Sequence, residues 1–193
     1  MHTKITTGRS YSGNAGQVKR LRDVLKGYSM EYTSAGCIFT NGIHILGGYQ
    51  PNKQAPCVSG IGGKREGGEE FVQTAMREML EELFGIYARS DFVAALMAIP
   101  YERLLISGDY ISIIYSFSSL EKILAELVRL NAVSAMYDEM PLTLNDLILK
   151  RSFGKDSEIS HLCLLPVVKH PRGTPYIENC FMKDIIGLTR QRL

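Results

Sequence analysis

Residues 60–86, GIGGKREGGEEFVQTAMREMLEELFGI, decide how the rest of the chain is read. The stretch opens on Gly60, Gly62, Gly63, Gly67 and Gly68 and then passes into a helical pattern. Val72, Ala75, Met76, Met79, Leu80 and Leu83 recur at helical spacing, the stripe of a helix laid on a core. Glu78, Glu81 and Glu82 fall at i, i+3 and i+4, so their carboxylates crowd together on another face.

Left unneutralised, such crowding costs about 0.2–0.5 kcal/mol per pair on an isolated helix. A hard divalent cation removes the penalty, because Mg²⁺ takes carboxylate oxygens and keeps waters for a phosphate substrate. Arg77 can hold a neighbouring carboxylate through its forked donors. The glycines let backbone approach a ligand, and a backbone carbonyl is itself a hard ligand. Taken alone, EMLEEL reads more readily as the solvated acidic face of a surface helix than as a metal site. The longer spacing changes the reading: Gly63, five residues, Glu69, seven residues, then Arg77-Glu78-Met79-Leu80-Glu81-Glu82. This resembles the signature of the Nudix hydrolases, with Met79 at its aliphatic position. Two positions depart from it. Phe84 stands where the family's closing glycine falls, so the helix is expected to run one residue further to Gly85-Ile86. Ile61 replaces a frequent proline.

The resemblance implies an α/β/α sandwich with a mixed, twisted sheet between helices. It also implies an enzyme that hydrolyses a diphosphate (pyrophosphate) bond in a nucleoside diphosphate linked to another moiety. Mg²⁺ or Mn²⁺ would be held by Glu78, Glu81 and Glu82 with the Gly63 carbonyl, neutralising the diphosphate and activating a water. Glu69 and Arg77 would orient that cluster. A further acid accepts the water's proton in parts of the family. Glu139, beside Asp138, is the best match by position, with Glu102 competing. Three substrate classes stay open: a small nucleotide, the cap of messenger RNA, or a diphosphoinositol polyphosphate. A catalytically silent nucleotide-binding module is the reading from another class, and the intact glutamates argue against it. With no tryptophan in the chain, base stacking would fall to Tyr49 or Tyr101. Many Nudix proteins form homodimers, but no pairing seam is visible here.

A chain of 193 residues suits one domain with an added terminal element, here a basic extension over 1–30 and a domain over 31–193. Hydrophobic content of 45% and charged content of 22% are those of an ordinary globular protein. No apolar run is long enough to span a bilayer, and residues 1–16 have no signal-peptide core, so a cytoplasmic location is expected. Cys37, Cys57, Cys163 and Cys180 lack metal-ligand spacing, and the histidines form no cluster. Any metal must then be held by oxygen. The net charge of +2 is uneven: Lys4, Arg9, Lys19, Arg20, Arg22 and Lys26 precede the acidic helix, and Lys150, Arg151 and Lys155 follow it. Basic flanks around an acidic site suit a polyphosphate or an RNA backbone, although each is equally a solvated surface charge.

Along the chain, Val18–Leu25 reads as a short basic helix. Ser34–Thr40 and Ile43–Leu46 read as strands joined by a two-residue turn at Asn41-Gly42, the second broken by Gly47-Gly48. Ala55–Ser59 reads as extended. The near-continuous apolar run Asp91–Ile99 is expected to be a buried strand ended by Pro100. Arg103–Ile106 and Tyr110–Phe117 bracket a second hairpin. Ser118 and Glu121 form a capping box for a helix whose apolar face is Leu120, Ile123, Leu124, Leu127 and Leu130. Residues 136–149 lead into a further helix, His161–Val168 into a strand, and Thr174-Pro175 into a C-terminal helix reaching about Gln191. No P-loop, nucleophile elbow or dinucleotide fingerprint is present.

Overall fold

The computed structural model describes residues 32–154, 157–168, 170, 174 and 176–190. The basic extension over 1–30, the helix expected at Val18–Leu25, and Lys155, Pro175 and Gln191 lie outside them. Among the described residues a mixed seven-stranded sheet lies between two helical layers, the expected α/β/α sandwich.

The central strand β1 (Ser34–Thr40) runs parallel to β6 (Tyr110–Ser116) and antiparallel to β4 (Ile61–Lys64). Its last residue starts the pairing with β2 (His44–Gln50), which also pairs with β3 (Cys57–Ser59) and β7 (His161–Pro166). β5 (Arg103–Ser107) pairs with β6. Alternation along β1 divides the core. Ala35, Cys37 and Phe39 face α1 (Phe71–Phe84), α2 (Ser90–Met97) and α3 (Phe117–Arg129), whereas Ile38 faces α5 (Asn179–Arg190). The first layer buries Met76, Met79, Leu80 and Leu83 of α1 together with Leu120, Ile123, Leu124 and Leu127 of α3. A short α4 (Leu144–Leu149) adds Leu147 to that core. Across the sheet, Phe181, Ile185 and Leu188 of α5 pack on Ile38, Ile45 and Ile114.

Several elements differ from their sequence reading. Most of residues 91–99 belongs to the helix α2, which ends at Met97, and none of it is a strand. Phe92, Val93 and Leu96 turn inward at helical spacing, and Ala94 and Ala95 favour the helix over a sheet. The run is apolar on all sides only because its other residues are alanine and methionine, and this hides the period. Asn41-Gly42 is not a two-residue turn. Thr40 pairs with Ile45, and the Asn41 side chain accepts from the Ile43 and His44 amides. Gly47-Gly48 does not break β2 but lies within it, because β-carbons there would strike Phe181 and Ile159. The cap of α3 is Ser116, whose hydroxyl accepts from the Ser119 amide, two residues before the expected box. The last helix starts at Asn179, later than Thr174-Pro175. The hairpin over Gly108-Asp109 is as expected, with Ser107 paired to Tyr110. No helix among the described residues is long and apolar enough to cross a membrane.

Candidate functional site

α1 is the element on which the site is built. It begins with a capping box between Glu70 and Gln73 and ends at Gly85, in the left-handed conformation at φ 60°. The Gly85 amide reaches the Glu81 carbonyl and the Ile86 amide the Leu80 carbonyl, the ending that only glycine accommodates without strain. The helix therefore does run through Phe84, one turn-end later than the usual spacing, and Glu78, Glu81 and Glu82 stay on their common side.

The three glutamates sit in different surroundings. Glu82 is the most deeply set. Its Oε2 accepts the Gly62 amide at 2.7 Å, tying α1 to β4. Burial pushes its carboxyl up to about 8 against that hydrogen bond, and the charges of Glu78 and Glu158 add to the push. Glu78 lies over Gly63, where a β-carbon would stand 2.5 Å from its carboxyl atoms. Burial raises its pKa as well, opposed by Arg77. Glu81 is the most exposed of the three.

Arg77 gathers these acids from behind. Nη1 donates to Glu78 Oε1 at 2.8 Å and to Glu81 Oε2 at 3.2 Å, Nε donates to Glu69 Oε1 at 2.9 Å, and Nη2 reaches the Lys64 carbonyl at 2.7 Å. One guanidinium thus joins α1, β4 and the loop between them. Burial raises the Glu69 pKa, but hydrogen bonds from Arg77, the Glu66 amide and Thr74 outweigh it and hold the carboxyl below its usual range. Tyr32 donates its hydroxyl to the Glu69 carbonyl and carries Arg65 over its ring.

Glu78, Glu81 and Glu82 border one open cleft of about 470 Å³, a size that suits a small ligand. Its other walls include Tyr87, Met136 and Glu158. A second cleft of about 440 Å³ lies on the Glu69 and Arg77 side of α1, against α2. Glu158 was not singled out in the sequence, and nothing in its surroundings there, Asp156-Ser157-Glu158-Ile159, marks it. Arg151 explains its placement. Its guanidinium donates to the Glu82 carbonyl at 2.8 Å and the Ile159 carbonyl at 3.0 Å, and also to the Leu83 carbonyl. It so fastens the C-terminal end of α1 to the loop that carries Glu158. Cation and helix C-terminus also attract.

Of the other sequence candidates, Glu139 and Glu102 are exposed and neither lines the first cleft. Tyr101 is buried edge-on to Tyr115, and neither Tyr101 nor Tyr49 lines that cleft. Cys37 and Cys57 are buried, Cys163 partly so, and Cys180 is exposed; none forms a disulfide. Among the described residues no three acid, histidine or cysteine side chains already stand as a closed set of metal ligands.

No protein-family model matches the chain, and no curated protein does. The fold is similar to a bifunctional NMN adenylyltransferase/ADP ribose pyrophosphatase from Francisella tularensis, at 14% identity and a TM-score of 0.42, covering 90% of this chain and 45% of that one. The chain thus spans less than half the length of that protein, which has also been solved with AMP and a manganese ion. It is similar, too, to a NUDIX hydrolase from Nitrosomonas europaea, at 12% identity and a TM-score of 0.41, covering 83% and 89% of the two chains. A UDP-X diphosphatase matches at 14% identity and a TM-score of 0.39, over 91% of this chain and 72% of the other.

Proposed function

We propose that this chain is a Nudix-type hydrolase that cleaves the diphosphate bond of a nucleoside diphosphate linked to another moiety. One observation carries the reading. The residues of the Gly63-to-Glu82 signature fold so that its three helical glutamates border a single cleft, while Glu69 and Arg77 stand behind them. An acidic face that merely met solvent would have no need of a buried Glu82 held on a strand amide, nor of an arginine spent on aligning its neighbours.

The donors fit a hard divalent cation. They are carboxylate oxygens, two of them with pKa values raised by burial and by neighbouring carboxylates, and no lysine, arginine or histidine is among the described residues of the cleft wall. Glu78, Glu81 and Glu82, with the Gly63 carbonyl, would hold Mg²⁺ or Mn²⁺. When bound, such an ion supplies charge neutralisation for the diphosphate and lowers the pKa of water. The chain's own part is positional. The Gly62 amide fixes one oxygen of Glu82, Arg77 fixes Glu78 and Glu81, and Glu69 fixes Arg77. Glu158, which lines the same cleft where Glu139 does not, is the carboxylate favoured here to take a proton from the attacking water.

Glu82→Gln keeps an acceptor for the Gly62 amide but removes the charge. With magnesium present it is expected to cut diphosphate hydrolysis by at least about 100-fold while the thermal midpoint stays within a few degrees, as a lost transition-state interaction of ~2.7 kcal/mol or more requires. Undiminished turnover by this variant removes the mechanism. A protein that binds such nucleotides but cleaves none of them to nucleoside monophosphate with magnesium or manganese is instead the silent binding module. The basic charge that would favour capped RNA lies in residues 1–30, outside the described structure.

A further inference from the structure

Tyr87 is the residue of the cleft that the reaction above leaves unused. It follows the end of α1 directly, and its side chain is exposed to 84%. An aromatic ring left this bare forgoes the burial that usually stabilises a tyrosine, and here it does so at the lip of the cleft that carries the glutamates. The wall beside it is apolar: Ile86 is buried beneath it, and Met136 and Ala135 stand on the neighbouring loop. No lysine, arginine or histidine is among the described residues lining the cleft. Ser157 is a neutral polar group there, but its hydroxyl is turned to the Met136 sulfur at 2.8 Å. The described wall of the cleft therefore combines four acids, Glu78, Glu81, Glu82 and Glu158, with one exposed aromatic ring and apolar side chains.

Resting on the hydrolase reading, we infer that the Tyr87 ring is the platform on which the nucleobase of the substrate stacks. Two features set the substrate class. The group next to the cleaved diphosphate must offer a flat face, since the described wall offers one exposed ring and apolar side chains. And it is held with little discrimination between bases, because stacking uses the face that every base has.

The test compares Tyr87→Ala and Tyr87→Phe with wild type, each with magnesium, on two substrates. One is ADP-ribose. The other, two riboses joined through their 5-hydroxyls by a diphosphate, keeps the bond but carries no base. Stacking contributes about 1–3 kcal/mol per base, so Tyr87→Ala is expected to raise KM for ADP-ribose by roughly 5- to 150-fold with little change in kcat. Tyr87→Phe should retain the wild-type KM, and neither variant should change handling of the base-free diphosphate. Replacing adenine by guanine or uracil in the nucleotide should shift the wild-type KM by less than about threefold, a difference under 1 kcal/mol. Equal loss on both substrates, or no loss on either, overturns the platform and leaves the hydrolase reading standing. Absence of phosphate-bond cleavage by wild type on any of these compounds overturns both.

Discussion

At Gly63 a single hydrogen stands where any other residue would place a carbon 2.5 Å from the Glu78 carboxyl. The backbone there is not in the left-handed region, so the demand is for space alone. What would yield is the mobile end of Glu78, not the strand. Gly63→Ala is therefore expected to fold with a near wild-type melting temperature yet lose activity by about 100-fold, the cost of a displacement near 1 Å at a reacting centre. A melting temperature reduced as much as the activity would show that the glycine serves the fold. Gly62 combines two demands: its φ of 151° and its closeness to the Tyr110 hydroxyl and the Gly36 backbone leave no room for a side chain. Spacing in the sequence pointed to Gly63, Glu69 and the α1 acids. Glu158 and Tyr87 carry no motif yet line the cleft in the folded chain, where Arg151 fastens the loop of Glu158 to the end of α1.

Among the elements, those with a local signal were legible and those with a uniform one were not. α1 has an apolar stripe, a polar face and a glycine stop, and its bounds follow. α2 has apolar residues on every side, so its helical spacing is concealed and tertiary packing on α1 settles its form. Caps are decided by a hydroxyl's reach. Ser116 and Ser118 both precede the apolar face of α3, and the Ser119 amide points to Ser116 at 3.1 Å. Ser116→Ala should lower stability in urea titration by about 1 kcal/mol, and Ser118→Ala by clearly less. The reverse order would place the cap at the capping-box serine after all.

For the whole molecule, the second helical layer carries a buried polar contact within an apolar seam. Asp184 of α5 is buried against the sheet, and the Ser112 hydroxyl of β6 donates to its Oδ1 at 3.2 Å. Burial pushes its carboxyl up to about 7, Ser112 opposes this, Glu178 adds to it and Lys183 offsets part; the neighbouring Tyr110 is raised further still, by burial and by Asp184. A carboxyl whose folded pKa lies above its unfolded value of 3.8 adds stability that is full below that value and is lost as pH rises through about 7. Asp184→Asn removes this dependence while keeping an acceptor for Ser112. Its melting temperature should match wild type near pH 4 and exceed it above pH 7, at roughly 2–4 °C for each kcal/mol recovered. A constant difference across that range would show that Asp184 does not carry the slope.

By itself the sequence determined the helix with its three acids and the two strand pairs around Asn41-Gly42 and Gly108-Asp109, because each rests on spacing within a few residues. The tertiary structure decided that the glycine run 61–64, read as a loop, is a strand paired with β1, that Glu158 and Tyr87 share the cleft wall with the acids, and how α2 and Gly47-Gly48 are built. These depend on contacts between segments far apart in the chain, such as Arg151 on the carbonyls of Glu82 and Ile159, and no local pattern encodes where such a segment comes to rest.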